Sequence, residues 1–588
     1  MKDPMAEQLR EQNILRDIDI YFAESICEIF DVQEHFLLFA VLFNSSDGGH
    51  TCLNLRNLTE LSYYEDNQII IDTNINENAV KELIQKKVIA EAPSTEAPFI
   101  YDNGKLYLKT FYMDETTIAG FIRESVREKI DMERLKTLLD KYFPENSMQK
   151  VAALTASLMN FCVISGGPGT GKTTTVFNIL AIQQELSENT LSIAVCAPTG
   201  KAASRLSESI KEKKKNNTDK NITDSIPDKA LTIHRLLGIS GDNMTGSYSR
   251  GNPMKHDIVV VDEASMVDVQ MMAGLIRSLK PDCRLILLGD KDQLASVQPG
   301  AVLGDICTFA PVNIFSKETA TVIKDYTGYD MDSSGDSFSD STVELDVSHR
   351  FDDDKGIGLL AKSCRNADTA TALKLLKNDP SGQVDFIRID GDFEINISDM
   401  ILEHFQRYTA KSTPEKVISE FNSFRILSAH KRQFAGVDHI NTTAYKSLSK
   451  NGLRDNTKQF FNGMPLIISE NDYTLNLFNG DTGLILREED TLKAYFTTDS
   501  GIKSFSTARL PEHSPVFAMT VHKSQGSEFE HVVFVLPDME SSIMTRELFY
   551  TAVTRARTKL TVISSESAVK RCIENKMVRS TSSFSSGV

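Results

Sequence analysis

Tryptophan is absent from the 588 residues, so aromatic stacking of any kind falls to Phe, Tyr or His. Paired cysteines are also missing. The eight thiols (Cys27, Cys52, Cys162, Cys196, Cys283, Cys307, Cys364 and Cys572) are scattered along the chain. Without clustered thiolates there is no spacing for a zinc or iron–sulfur centre. Long apolar runs are lacking as well. The longest near the start, Phe36 to Phe43, falls far short of the roughly 20 residues that cross a bilayer. The opening MKDPMAEQLREQ has no apolar centre and no cleavage site, so a cytoplasmic protein without membrane attachment is expected. Excess positive charge is the last absence. A net charge of -17 excludes a broadly basic surface and, taken alone, argues against a nucleic-acid partner. A binding channel is a small part of a large surface, however, so the question stays open on composition.

What is present is an ordinary globular balance, 41% hydrophobic and 25% charged, in a chain long enough for about three to five cores. From Val151 onward, short apolar runs rich in β-branched residues alternate with helical stretches. FCVIS (161–165), SIAVCA (192–197), DIVVVD (257–262) and RLILLGD (284–290) form one set. FRILSA (424–429), FAMTV (517–521), HVVFVL (531–536) and LTVIS (560–564) form a second. Strands apolar on both faces belong to parallel sheets covered by helices, so two α/β domains are predicted. Between them, residues 456–514 carry PLIIS, GLILR and LKAYF separated by turn signals, which reads as a small antiparallel β insertion. The first 115 residues mix helix and strand signals. Three polar stretches are read as surface features: a solvated lysine run at 211–220, a mobile Asp/Ser/Gly loop at 325–341, and a disordered tail from Met577.

The strongest chemical signal is GGPGTGKTTT, Gly166 to Thr175, between a strand and a helical stretch. In that context the loop of Gly166, Gly167, Pro168, Gly169, Thr170 and Gly171 wraps the phosphates, the N–H groups of its non-proline residues converge on them, and the helix N-terminus adds a favourable dipole. Lys172 is placed to reach the outer phosphates, Thr173 to hold Mg²⁺ through its hydroxyl, and Thr174 to complete the loop. DEAS follows the strand DIVVV. Asp262 would share the Mg²⁺, and Glu263 would orient or deprotonate the attacking water. Hydrolysis of ATP or a close relative follows.

The class of machine is carried by a longer series of motifs. APTGKAASRL (197–206), TIHRLLG (232–238), VVVDEASMVD (259–268), GDKDQLASVQPG (289–300), SHRF (348–351), NGDTG (479–483), TVHKSQGSEF (520–529) and LFYTAVTRAR (548–557) occur in that order. Over about 150–565 the chain resembles a superfamily 1 helicase, and within it the RecD branch. That resemblance implies two RecA-like domains that close on ATP, with Arg350 and Arg555 reaching across the cleft. It also implies that Gln293 senses the γ-phosphate, Gln149 reads adenine and Glu528 meets the ribose. DNA contacts fall by resemblance to Thr199, Gly200, Lys201, His234 and Arg235 on one side, and to Asn479, Gly480, Thr520, His522 and Ser524 on the other. GGHTCLNL (48–55) and FIYDNGKLYLKTFY (99–112) resemble the family domain that docks onto a RecC partner. His349 stands where tyrosine is common, and the 211–220 and 325–341 stretches look like local insertions.

The implied architecture is α/β: a partner-docking α+β domain (1–115), a first RecA-like domain (116–345), and a second one in two parts (346–455 and 515–576). The second carries a β-barrel-like insertion (456–514), and a tail (577–588) follows. The implied activity is ATP- and Mg²⁺-dependent 5′→3′ unwinding of DNA double-strand ends, within a heterotrimer containing RecB-like and RecC-like subunits. No nuclease constellation is visible in the chain. Two alternatives share the same motifs: a free-standing superfamily 1 helicase, and an ATPase subunit that gates its partners without unwinding. All three readings require the phosphate loop. Lys172→Ala is therefore expected to reduce ATP hydrolysis to background while leaving the thermal unfolding profile unchanged. Retained DNA-stimulated hydrolysis in the folded variant would refute the site.

Overall fold

The apolar runs become the centres of parallel sheets in the computed structural model. It describes residues 4–581 except 13, 56–76, 92–96, 126–129, 217–218, 240–245, 473, 499–500 and 540. The N-terminal region pairs β1 (Cys52–Asn54), β2 (Ile89–Glu91), β3 (Phe99–Asp102) and β4 (Lys105–Leu108) in the order β1-β4-β3-β2. The β3–β4 hairpin turns through Asn103 and Gly104, both at positive φ, as a tight right-twisting turn demands. Helix Phe36–Asp47 is buried along most of its length against helix Asp17–Phe30, which makes the Phe36–Phe43 run a core helix. Among the described residues no helix is long and apolar enough to cross a membrane.

The first motor sheet contains β5 (Phe161–Gly166), β6 (Ile193–Ala197), β7 (Leu231–Thr232), β8 (Ile258–Val261), β9 (Arg284–Gly289) and β10 (Thr342–Leu345). All pairs are parallel, in the order β10-β5-β9-β8-β6-β7. Every residue of β5, β6, β8 and β9 is buried, which is why these runs carry no polar alternation. The edge strand β10 is short and follows an Asp- and Ser-rich stretch, so no run of apolar residues announced it. Its register places Leu345 beside Gly166, at the start of the phosphate loop.

The second sheet joins β11 (Val384–Arg388), β12 (Phe424–Ser428), β18 (Ala518–Thr520), β19 (Phe529–Val535) and β20 (Ala556–Ser564), in the order β11-β20-β19-β12-β18. Again every pair is parallel. Between β12 and β18 the chain builds a five-stranded antiparallel sheet from β13 (Pro465–Ile468), β14 (Thr482–Glu488), β15 (Thr491–Thr498), β16 (Gly501–Ser506) and β17 (His513–Pro515). It shares one apolar core with the second sheet. All eight cysteines are free and buried within these cores.

Three surface readings are corrected. Lys211, Lys213, Lys214 and Lys215 of the 211–220 run extend the helix Gly200–Asn216 rather than a loop, and Lys220 begins the next helix. Lysine is a good helix former and is favoured at a helix C-terminus, and Lys214 there pairs with Asp228. The 325–341 stretch is ordered through Asx turns. Asp332 and Asp336 accept bonds from their own following N–H groups, and buried Asp340 accepts from Ser316 N (2.7 Å), Ser316 Oγ (2.8 Å) and Thr319 Oγ1 (2.7 Å). Residues 577–581 of the tail are held against the body of the molecule by Arg579 and Ser580, while 582–588 lie outside the described residues.

Asp340→Ala would strand three donors in a dry site. A loss on the order of 2 kcal/mol is expected in the urea unfolding of the full chain. An unchanged midpoint would restore the mobile-loop reading.

Candidate nucleotide cleft and nucleic-acid groove

The phosphate loop runs from the end of β5 into helix Lys172–Leu186. Gly169 and Gly171 sit at φ +82° and +81°, where a side chain is strained. Space is closed there too. A Cβ on Gly169 would come within 2.5 Å of Arg350 Cβ, and one on Gly171 within 2.5 Å of the Gln149 amide. Lys172 Nζ donates to the carbonyls of Gly166 (2.5 Å) and Gly167 (3.1 Å), and Thr170 Oγ1 also donates to Gly167 O. Gln149 donates to Thr170 O at 3.0 Å, so the glutamine ahead of the loop is anchored on it. Thr173 and Thr174 occupy the first turn of the helix, half-buried.

Asp262 and Glu263 lie beyond the end of β8. Asp262 Oδ1 accepts the Glu263 N–H at 2.9 Å. Burial first, then the neighbouring Glu263 carboxylate, raises the Asp262 carboxyl above its ordinary range, and the Lys172 ammonium opposes the shift. Glu263 itself has φ +54°, a left-handed backbone that costs a non-glycine residue on the order of 1–3 kcal/mol.

Two guanidiniums enter this region, Arg350 from the segment that follows β10 of the first sheet and Arg555 from the residue before β20 of the second. From β10 the chain crosses directly over the phosphate loop: Ser348 Oγ donates to Pro168 O at 3.1 Å, and His349 N to Gly169 O at 2.9 Å. Arg350 follows, its Nη2 on Glu528 at 2.6 Å and its buried Nη1 without a protein partner. The other Glu528 oxygen takes Arg557 at 2.9 Å. Although burial opposes it, the Arg350 and Arg205 charges and the two guanidinium bonds hold the Glu528 carboxyl down at about 2. Glu528, expected from the resemblance to face a ribose, is thus engaged by two arginines.

Arg555 is almost fully buried and donates to Gln293 Oε1 (2.8 Å), Ser527 O (3.2 Å) and Thr551 O (3.2 Å). Gln293 in turn donates to Asp290 at 2.8 Å, and Tyr550 OH to the same oxygen at 3.1 Å. Leu294 is held at both ends: its N–H donates to Thr551 Oγ1 and its carbonyl accepts from Gln525. The residues after β9 are therefore bonded to the second sheet through side chains.

Residues that follow β6, β8 and β18 line a cavity of about 1160 Å³. Thr199, Gly200, Lys201, His234, Arg235, Asn479, Gly480 and His522 all line it. Two of the residues expected there do not. Ser524 is fully buried and donates to Val521 O, and Thr520 caps the turn by accepting the Lys523 N–H. Both serve the turn that follows β18, which is the ordinary use of small hydroxyl residues. The wall holds residues not singled out from the sequence, among them Phe478, Gln298 and Lys523. Phe478 packs on Gly200, where a Cβ would meet its ring at 2.7 Å, and the Arg235 guanidinium lies 6.0 Å from its centroid. Its signal was an aromatic beside the NGDTG turn in a chain without tryptophan. Burial and the nearby Arg205 and Arg425 charges lower the Lys201 ammonium, so an anion beside it would restore its charge.

Two parallel sheets, a phosphate loop, and arginine side chains bonded between the two halves define a two-domain P-loop motor. The comparisons with known proteins agree. An AAA domain model matches residues 149–299, a UvrD-like helicase C-terminal domain 515–563, and the N-terminal domain of RecBCD enzyme subunit RecD 11–107. The RecBCD enzyme subunit RecD of Haemophilus influenzae is 36% identical over 97% of this chain and 97% of its own length. That of Mycobacterium tuberculosis strain H37Rv is 31% identical over 98% and 95%. The ATP-dependent RecD2 DNA helicase of Deinococcus radiodurans is 27% identical over 69% of this chain and 47% of its own. The chain belongs to the RecD family of superfamily 1 helicases.

The depressed Glu528 carboxyl carries a testable sign. Its bonds stabilise the fold above the ordinary carboxylate range near 4.5, and that contribution is lost as pH falls toward about 2. Glu528→Gln is expected to lower stability at pH 7 by on the order of 2 kcal/mol, with the gap to the unsubstituted chain narrowing below pH ~4.5. Urea titrations across that range check it; a gap independent of pH would show that the ion pairs contribute nothing.

Proposed function

We propose that this chain is an ATP-driven motor that moves 5′→3′ along one DNA strand in the groove, and opens duplex ends as the RecD-type subunit of a cytoplasmic heterotrimer with RecB-like and RecC-like partners. What carries the reading is the bond between Arg555 of the second sheet and Gln293 after β9, with Gln298 of the same short loop standing in the groove wall. A change at the nucleotide is passed to the groove through a few covalent steps.

Lys172 leaves its loop carbonyls for the outer phosphates, and the unpartnered Nη1 of Arg350 together with Arg555 meets the charge that develops in phosphoryl transfer. Glu263 orients the attacking water and accepts its proton. Gln293 registers the γ-phosphate, because a phosphate oxygen competes with it for Arg555. Gln149 lies beside the loop to read adenine. Glu528 reaches the ribose only if Arg350 exchanges it for phosphate, which ties sugar recognition to arginine engagement.

The residues present fit a magnesium ion. Asp262 is an enclosed carboxylate destabilised by burial and by Glu263, and Thr173 supplies a hydroxyl in the first turn of the loop helix. Thr173 and Asp262 would hold the ion, which when bound neutralises phosphate charge. In the groove, Lys201, Arg235 and the hydroxyl and backbone groups of Thr199, Gly200, Asn479, Gly480 and His522 suit one strand's phosphates, and Phe478 and His234 offer faces for stacking. Backbone tracking of this kind suits a motor that passes every sequence.

Unwinding of duplexes with a 5′ or a 3′ single-stranded tail, with and without ATP, tests the reading. Opening from the 5′ tail alone is expected, and none with Lys172→Ala. Opening from the 3′ tail would overturn the polarity. DNA-stimulated hydrolysis without unwinding would transfer the opening step to the assembled complex.

A further inference from the structure

Arg579 lies beyond the last helix of the second motor sheet, Glu566–Glu574, yet its guanidinium is spent on the first. Nη1 donates to Gly300 O (2.6 Å), Gln298 O (3.1 Å) and Ser296 Oγ (3.3 Å), and Nη2 to Ser296 O (2.5 Å). Three carbonyls within five residues thus face one planar cation. The loop is curled to present them: Ser296 Oγ donates to the carbonyls of Gln298 and Gly300, and Pro299 O accepts from Val269 N. The far side of the guanidinium rests on Gly49 at φ +85°, where a Cβ would come within 2.7 Å of Cζ. Gly49 O accepts Gly300 N at 3.0 Å.

The following residues fasten the strap to the N-terminal region. Ser580 N donates to His50 Nδ1 (2.9 Å), Thr51 N to Ser580 O (3.1 Å) and Lys105 Nζ to Thr581 O (3.0 Å). The strap joins all three parts of the molecule at one point, and that point is the loop that starts at Gln293 and ends at Gly300. Gln293 is bonded to Arg555 at the nucleotide cleft, and Gln298 lines the groove. A half-buried arginine fork satisfied by carbonyls has one geometry, whereas a lysine ammonium cannot span the same set.

We propose that Arg579 is a positioning residue that makes residues 293–300 one rigid unit, so that DNA in the groove sets the position of Gln293 and thereby the rate of hydrolysis. This deepens the motor reading and rests on it. Arg579 touches neither a phosphate-loop residue nor the acidic pair after β8, so its role is confined to coupling. Without the fork, Ser296, Gln298 and Gly300 lose their common anchor and the loop can relax at its groove end while Gln293 stays bonded to Arg555.

The test measures hydrolysis by the full chain at increasing single-stranded DNA, for the unsubstituted protein, Arg579→Lys and Arg579→Ala, with melting curves for each. DNA-free hydrolysis is expected to stay within about twofold. The DNA-saturated rate should fall by at least about tenfold in Arg579→Ala, the scale of a misplaced catalytic group, with partial recovery in Arg579→Lys. An unchanged saturated rate overturns the inference, and so does a change confined to the DNA concentration needed for half-stimulation. Parallel loss of DNA-free and saturated rates in both variants overturns it in favour of a purely structural strap. Absence of DNA stimulation in the unsubstituted chain would be a failure of the motor reading itself, seen before any variant is compared, and would take the inference with it.

Discussion

The pairing of β10 with β5 is the constraint on which the rest of the structure depends. Parallel register sets Leu345 beside Gly166, so the chain leaving β10 has to pass over the phosphate loop. Ser348 and His349 then bond to Pro168 and Gly169, and the next residue is Arg350. The close contact between Arg350 and Gly169 explains why that glycine has no room for a side chain, apart from its positive φ. A four-residue edge strand thus delivers an arginine to the loop with little freedom to miss it.

Against that fixed crossing, the second sheet attaches through exchangeable bonds. Arg350 and Glu528, Arg555 and Gln293, Gln525 and Leu294 are side-chain contacts of a kind that a phosphate can replace. Hydrogen bonds to charged groups contribute about 1.5–3 kcal/mol each, so swapping a carboxylate or amide for phosphate oxygens is close to an even trade. Near-balance is what a cyclic machine needs, because a bond too strong in either state would arrest it.

Much of this was legible because strands covered on both faces are uniformly apolar. FCVIS, SIAVCA, DIVVVD and RLILLGD all became strands of one parallel sheet, and each of the second set joined the other. Glycines with a lysine between strand and helix located the phosphate loop for the same physical reason that the backbone needs them. What escaped was decided by partners distant in sequence. β10 reads TVEL, too short and too mixed to stand out. The Asp-rich stretch before it looked mobile because Asx turns and disorder share a composition, and the difference lies in Ser316 and Thr319 meeting Asp340. The Ser/Thr-rich tail looked free for lack of any hint that Arg579 finds three carbonyls. In the groove, Thr520 and Ser524 bond within the turn after β18, and sequence does not separate a hydroxyl that closes a turn from one that holds a phosphate.

The order of strands in the first sheet has a consequence for how the protein is made. β5 is translated early but lies between β9 and β10, and its β10 edge is not covered until residues up to Leu345 have left the ribosome. During that interval a strand destined to be fully buried presents an open row of backbone donors and acceptors. Nascent chains with such edges are prone to pair wrongly. Synthesis through Leu345 therefore marks the point at which that edge of the sheet can close.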